Sequence, residues 1–359
     1  MSTTYGKNLK LSIFGGSHDE KIYMTLDGIP QGHKVDMDSL MRLMARRAPG
    51  QNKYSTQRKE PDIPVFISGL DENSITTGER IECEIHNVNQ HSSDYSSLVD
   101  VPRPSHADYA ARMKYGEGVD LRGGGHFSGR LTALMCVAGG ICMQILEKQG
   151  VKISSHIYSI GNIPDEKFDP VSPAEQMFSL DGKEFPVISD EAGEKMKTAI
   201  DGARLDGDSV GGIVETAIIG LSAGHGEHIF DGVESRISSF VFSIPAVKGV
   251  EFGLGFGSSA IYGSENNDEF YTDGKAVYTK TNNCGGILGG MTNGMPVIFR
   301  ASLKPTPSIA KEQGSVSLSK MENVRLKIGG RHDPCVVARA VPVFEAAAAV
   351  AIYDILLDE

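Results

Sequence analysis

The chain has 359 residues, with 35 Lys and Arg against 46 Asp and Glu for a net charge of −11, 40% hydrophobic and 23% charged residues, and no Trp. These are the values of a folded globular protein with a sizeable core, and they argue against both disorder and a membrane-spanning build. The acidic balance argues against non-specific nucleic-acid binding, which needs a basic surface. Residues 1–10 are polar and carry no apolar h-region, so no secretory signal is expected.

Taken in chain order, residues 38–47 read as a helix, with Leu40, Leu43 and Met44 on one face and arginines in the last turn. Short apolar runs at Val65–Ser68 and residues 80–86 read as strands; in the second, Ile81, Cys83 and Ile85 alternate onto one face. Residues 128–149 read as a long apolar helix closed by Gly150. Its most apolar part, 133–146, is shorter than the ~20 residues a bilayer requires and suits a core helix. An exposed helix is expected at 190–203, strands at 212–220 and 296–301, and a buried helix at 345–357. Strands cluster around helices instead of alternating with them, which defines an α+β class. No linker or fixed-period repeat divides the chain, so one domain over 1–359 is expected. The five cysteines (83, 136, 142, 284 and 335) are odd in number and lack C-x-x-C spacing. Neither disulfides nor structural zinc is expected, and free thiols fit a reducing, cytoplasmic setting.

The chemistry lies between these elements, where glycine, histidine and cationic residues crowd. The segments are Gly15-Gly16-Ser17-His18-Asp19, Arg46-Arg47, Arg103-Pro104-Ser105-His106, Arg122-Gly123-Gly124-Gly125-His126, the glycine run ending at Gly289-Gly290, Lys304-Pro305-Thr306-Pro307-Ser308, and Gly330-Arg331-His332-Asp333. Glycine loops let backbone N–H groups approach an anion, and a following helix N-terminus adds positive potential. Each cluster alone reads more readily as a tight turn. Several beside Arg or Lys, in an acidic chain, point to one concentrated anion site. His18 and His106, in similar polar loops, are candidates for acid/base work, because imidazole titrates near neutral pH. Asp333 is a candidate base, or else one half of a loop ion pair. No P-loop is present, and Gly253-Leu254-Gly255-Phe256-Gly257 lacks the rest of a dinucleotide fingerprint. His225-Gly226-Glu227-His228 is a weak metal pattern without a third ligand, which leaves a histidine metallohydrolase as a remote reading.

In this order the segments resemble chorismate synthase over nearly the whole length. The carrying pieces are residues 103–109 with 114–116 and 122–125, 243–251, 282–290, 304–309, and 330–335 followed by 339–342. The resemblance implies a single-domain β-α-β sandwich that assembles as a homotetramer. It implies reduced FMN as cofactor, NADPH as a reductant, and the 1,4-anti elimination of phosphate from 5-enolpyruvylshikimate 3-phosphate to give chorismate. By position it implies His18 as the acid for the departing phosphate, His106 as acid/base partner of the flavin, and Asp333 as the carboxylate that helps remove the ring proton. The implied FMN positions are His126, Phe127, Ser128, Pro245, Ala246, Gly289, Lys304, Pro305, Thr306, Pro307, Ser308 and Arg331. Arg46, Arg47 and Arg103 are the implied substrate-anion ligands, with Arg47 and Lys53 at NADPH positions. Departures are specific: G-E-S-H-G in the family is Gly15-Gly16-Ser17-His18-Asp19 here, and His126 and Phe127 replace Arg and Ser. These departures motivate the alternative of a non-catalytic flavin- or anion-binding paralogue.

Overall fold

The computed structural model describes residues 3–50, 60–87, 100–329 and 333–358. One five-stranded antiparallel sheet runs in the order β1 (Thr3–Tyr5), β2 (Lys10–Phe14), β3 (Lys21–Asp27), β5 (Ile81–His86), β4 (Val65–Ser68). Leu11 and Ile13, Ile22, Met24 and Leu26, and Ile81, Cys83 and Ile85 all point inward, the period-two pattern of a sheet with one buried face. A second antiparallel sheet is built from β6 (Lys152–Ile160), β7 (Ile163–Pro164), β8 (Gly212–Ile219) and β9 (Val247–Phe252). Two small hairpins follow, β10 (Phe270–Thr272) with β11 (Val277–Thr279) and β12 (Ile287–Leu288) with β13 (Met291–Thr292). Then β14 (Val297–Leu303) returns to the second sheet, giving the order β7-β6-β8-β14-β9, and β15 (Gln313–Ser317) pairs with β16 (Glu322–Leu326).

Helices fill the space between the sheets: α1 (Met37–Arg47), α3 (Thr132–Lys148), α6 (Val233–Val241) and α8 (Val337–Leu356). Around the outside lie α2 (Asp108–Tyr115), α4 (Ala174–Ser179), α5 (Asp190–Leu205) and α7 (Gly263–Asn266). One continuous buried cluster joins both sheets through α3 and α8, so the fold is the expected β-α-β sandwich. Alanine and glycine let α3 and α8 approach closely: a Cβ on Gly139 would sit 2.4 Å from Ala346. The apolar stretch 129–148 is long and apolar enough to cross a membrane, but 83% of an 18-residue window within it is buried in the protein.

Two boundaries differ from the sequence expectation. Helix α3 starts at Thr132, because Ser128 is extended and caps a separate short turn over Gly129–Leu131. Helix α8 starts eight residues earlier than expected, at Val337, with Pro342 inside it. As the sixth residue of α8, Pro342 removes a backbone hydrogen bond in the second turn, a cost that the burial of the helix between the sheets offsets. Helix α5 is also less exposed than expected, burying Gly193, Met196 and Ile200. The turn after β1 is fastened to α8. The N–H groups of Lys7, Asn8 and Leu9 all donate to the buried Asp354 carboxylate, whose other side takes Arg236 of α6 at 2.9 Å.

Candidate active site

The loops preceding α2, α3 and α8 meet those flanking α6 and β14 around a cavity of about 1240 Å³. Its wall includes Arg47, Arg103, His106, Gly123, residues 126–132 and 243–248, Lys304, Thr306–Ser308, Asp333 and Arg339.

The triple glycine organises this wall. Gly123, Gly124 and Gly125 have φ of 58°, 100° and 51°, a run in the left-handed region that side chains disfavour. Space requires glycine too. A Cβ on Gly123 would lie 2.2 Å from His18 Cε1, and one on Gly125 would lie 2.1 Å from the Asp120 carbonyl. On Gly124 the nearest atom would be His106 Nε2, at 3.4 Å. The two imidazoles therefore pack against adjacent glycines of one turn. His18 is buried behind Gly123, and His106 lines the cavity. Ser17 Oγ donates to the Arg122 carbonyl at 3.1 Å, which leaves it to accept from His18 Nδ1 at 3.1 Å.

His106 is aimed by α2. Its Nδ1 lies 2.6 Å from Asp108 Oδ1, so Nδ1–H donates there and Nε2 is turned toward Gly124. Arg103 grips the same carboxylate with Nε and Nη2, each at 2.7 Å, and its Nη1 lies 3.4 Å from Ser308 Oγ. Burial would raise the Asp108 carboxyl, but the hydrogen bonds from Arg103 and His106 outweigh it and hold the group well below the usual carboxylate range.

Arg47 is fixed on three sides: Nε to Thr132 Oγ1 at 3.1 Å, Nη2 to the Gly129 carbonyl at 2.8 Å, and Nη1 to Asp62. Asp62 also takes Arg130, which in turn meets Asn87 at 2.8 Å and Glu60 at 3.3 Å. Burial of Asp62 is overcome by these two guanidiniums, and its carboxyl is held below its usual range. Asp333 pairs with Arg339 Nη1 at 2.5 Å, and Arg339 Nε donates to the Arg47 carbonyl at 3.2 Å. One Asp333 partner is thus on α8; its chain neighbours Arg331 and His332 lie outside the described residues.

On the opposite wall, Lys304 N donates to the Ala246 carbonyl at 2.9 Å and its Nζ to the Ser105 carbonyl. Burial and the neighbouring Lys248 charge push the Lys304 ammonium below its usual value. Thr306 Oγ1 is buried here and has no hydrogen-bond partner among the described residues. His126 Nδ1 donates to the Gly15 carbonyl at 2.7 Å, tying the glycine turn to β2, and Phe127 lies 6.3 Å from the Tyr115 ring. A Cβ on Gly16 would lie 3.3 Å from Asp19 Oδ2 and from the Gly125 carbonyl carbon, so the Asp19 carboxylate and the glycine turn crowd the space a side chain at 16 would leave from.

The expected set is not gathered whole. Arg46 turns away from the cavity and forms a bidentate pair with Glu345, at 2.7 and 2.8 Å, because a carboxylate buried on α8 needs that charge. Gly289 sits in the β12–β13 turn, away from this cavity. Arg122 folds back onto Asp120 at 2.6 Å instead of facing an anion. Lys53 and Arg331 lie outside the described residues. Asp62, Asp108, Arg130, Lys248 and Arg339 also stand at the site, outside the residues expected from the sequence. Asp108 alone left a signal, its place two residues after His106.

Antiparallel sheets enclosing helices, with two imidazoles on one glycine turn at a cation-lined cavity, define an enzyme with a small-molecule site. The family model described as chorismate synthase matches residues 9–357. The chain is 41% identical to the chorismate synthase of Lancefieldella parvula over 99% of this chain and 96% of that one. It is 44% identical to those of Korarchaeum cryptofilum and Thermococcus kodakarensis, covering 98% of this chain and 96% and 97% of theirs. A crystal structure of chorismate synthase superposes with a TM-score of 0.77 at 28% identity, covering 98% of this chain and 93% of that one. The chain belongs to the chorismate synthase family.

Proposed function

We propose that this protein is a lyase that eliminates phosphate, in the 1,4-anti sense, from 5-enolpyruvylshikimate 3-phosphate to give chorismate, with reduced FMN as cofactor and no net redox change. The observation that carries the reading is the His106–Asp108 pair. It is a buried carboxylate that fixes the tautomer of an imidazole whose other nitrogen faces a glycine turn in a cationic cavity.

The residues fit the cofactor. Thr306 Oγ1 is a buried polar atom in the wall awaiting a partner, and the triple glycine leaves room where side chains would intrude. The volume exceeds the roughly 300–1,000 Å³ of an ordinary ligand pocket, as two neighbouring small molecules would require. When bound, reduced FMN supplies the electron-rich ring that makes loss of a poorly acidic C–H and a phosphate feasible. In this reading the protein's part is orientation and charge. Arg47 and Arg103, pinned by Asp62 and Asp108, present fixed donors to the substrate anions. His106 Nε2, left as the acceptor because Nδ1–H is held by Asp108, takes up and releases a proton at the cavity, His18 protonates the departing phosphate, and Asp333, aimed by Arg339, accepts the ring proton. The intact His18, His106 and Asp333 favour this over a non-catalytic paralogue. We further propose a cytoplasmic homotetramer of single-domain subunits, with NADPH as reductant.

An anaerobic turnover assay with pre-reduced FMN tests the reading, run with and without NADPH. Chorismate formation in the first arm is expected. A folded protein that binds FMN and substrate without turnover would leave the paralogue.

A further inference from the structure

Charge around the cavity is distributed unevenly. Six cations line it: Arg47, Arg103, Arg130, Arg339, Lys248 and Lys304. Each arginine has a carboxylate of its own or shares one: Asp62 for Arg47 and Arg130, with Glu60 beside the latter, Asp108 for Arg103, and Asp333 for Arg339. The lysines do not. Among the described residues Lys304 meets a carbonyl oxygen, and Lys248 meets no hydrogen-bonding or ionic partner. Six cations against four carboxylates leave two positive charges, and both sit at the lysine end.

The arrangement there is specific. Lys248 is an exposed side chain at the start of β9, two residues beyond Ala246, whose carbonyl holds the Lys304 backbone. Ala246 and Ser105, the two residues whose carbonyls receive Lys304, have φ of 78° and 60°. Such conformations are unfavourable in non-glycine residues and persist where the surroundings dictate them. Thr306 Oγ1 adds an unmatched hydroxyl on the same wall. Two ammonium groups brought together without a counter-charge repel, and an anion of charge about −2 relieves that repulsion.

We propose that Lys248 is a ligand for a phosphate monoester dianion, which it binds together with Lys304 and Thr306. The shared chemistry is the phosphate, carried either by the flavin mononucleotide or by the substrate. The proposal rests on the functional reading above, and its test separates the two. Calorimetry on the full chain compares matched probes that differ only in phosphate: FMN with riboflavin, and shikimate 3-phosphate with shikimate. Lys248→Met is expected to weaken one phosphorylated probe about 10- to 100-fold, the range for a hydrogen bond to a charged group, and to leave its dephosphorylated partner unchanged. Loss on FMN assigns the flavin phosphate, and loss on shikimate 3-phosphate assigns the substrate phosphate. Lys248→Arg is expected to retain most of the affinity. Because the side chain is exposed, the melting temperature should not move. Equal affinities of wild type and Lys248→Met for both phosphorylated probes would overturn the proposal. Because binding is read without turnover, an inactive wild type would sink the functional reading and leave this result standing.

Discussion

Asp108 fixes His106 by accepting its Nδ1–H, and the two residues separate into different kinetic roles. His106→Ala is expected to keep the fold and lower kcat by about 10²- to 10⁴-fold, the usual contribution of a general acid or base. Asp108→Asn keeps the shape but loses the charge that selects the tautomer, so kcat should fall with little change in KM, and Arg103 should become looser as well. Unchanged kcat in a folded Asp108→Asn protein would make the pair structural. Asp333→Asn is expected to abolish turnover while substrate and FMN still bind, since Asn cannot accept a proton. If it instead lowers only the melting temperature, the Arg339 pair is a stability feature. At this scale the sequence was informative about the cavity side chains and silent about their supports. His106, Lys304 and Asp333 lie in unusual glycine- and cation-rich loops. Asp62 and Arg339 look ordinary in sequence and meet their partners only through folding, across 15 and 68 residues for Asp62 with Arg47 and Arg130. Arg46 carried the same local signal as Arg47 but was drawn away by a glutamate 299 residues distant.

Glycines within helices have no common role, and two of them give opposite predictions. In α5, Gly202 has nothing within 4 Å of where a Cβ would be. Gly202→Ala should stabilise the protein by about 0.5–1 kcal/mol, the helix-propensity difference. In α3, a Cβ added to Gly139 would meet Ala346 Cα and Cβ at 2.4 Å and its carbonyl oxygen at 2.6 Å. Overpacking typically costs about 1–3 kcal/mol, which exceeds the propensity gain, so Gly139→Ala should be destabilising. Urea midpoints of the two variants check both signs. Elements such as α1, β5 and α3 were legible because their apolar spacing repeats. The start of α8 was not, because Pro342 is a stop signal in sequence and the packing of α8 between two sheets overrides it.

Across the whole molecule, buried charge is arranged in rows that make stability depend on pH. His156, Glu215, Arg300 and Glu251 stand side by side on β6, β8, β14 and β9. His156 is fully buried between Asp165 at 3.1 Å and Glu215 at 3.0 Å. Burial would lower its basicity, but the two carboxylates outweigh this and raise it. A raised histidine contributes stability that is fully present below its ordinary value of about 6.5 and is lost as pH rises through the raised one. Asp62, Asp108 and Asp165 are shifted the other way, the paired cations and hydrogen bonds overcoming burial in each. Their contribution is present above about pH 4 and is lost as pH falls through the lowered values. The melting temperature should therefore form a plateau that declines on both sides. His156→Ala takes one partner from each of two buried carboxylates, which keep the Ile188 and Ser189 N–H groups and Arg300 respectively, and should cost about 1–3 kcal/mol at neutral pH. An unaltered alkaline limb in that variant would show that another group sets it.

The Asp354 carboxylate that gathers the N–H groups of Lys7, Asn8 and Leu9 has a consequence in time. Its bonds join positions 345 to 347 residues apart. The first sheet begins to be made early in synthesis, yet the turn after β1 has no acceptor for its amides until residue 354 has left the ribosome. At roughly 5–20 residues per second, the apolar faces of that sheet wait tens of seconds for their helix. Contacts this distant also slow the search for the native state after synthesis. Asp354→Asn should therefore lower the yield of soluble protein made at high expression rates more than it lowers the activity of the molecules that do fold.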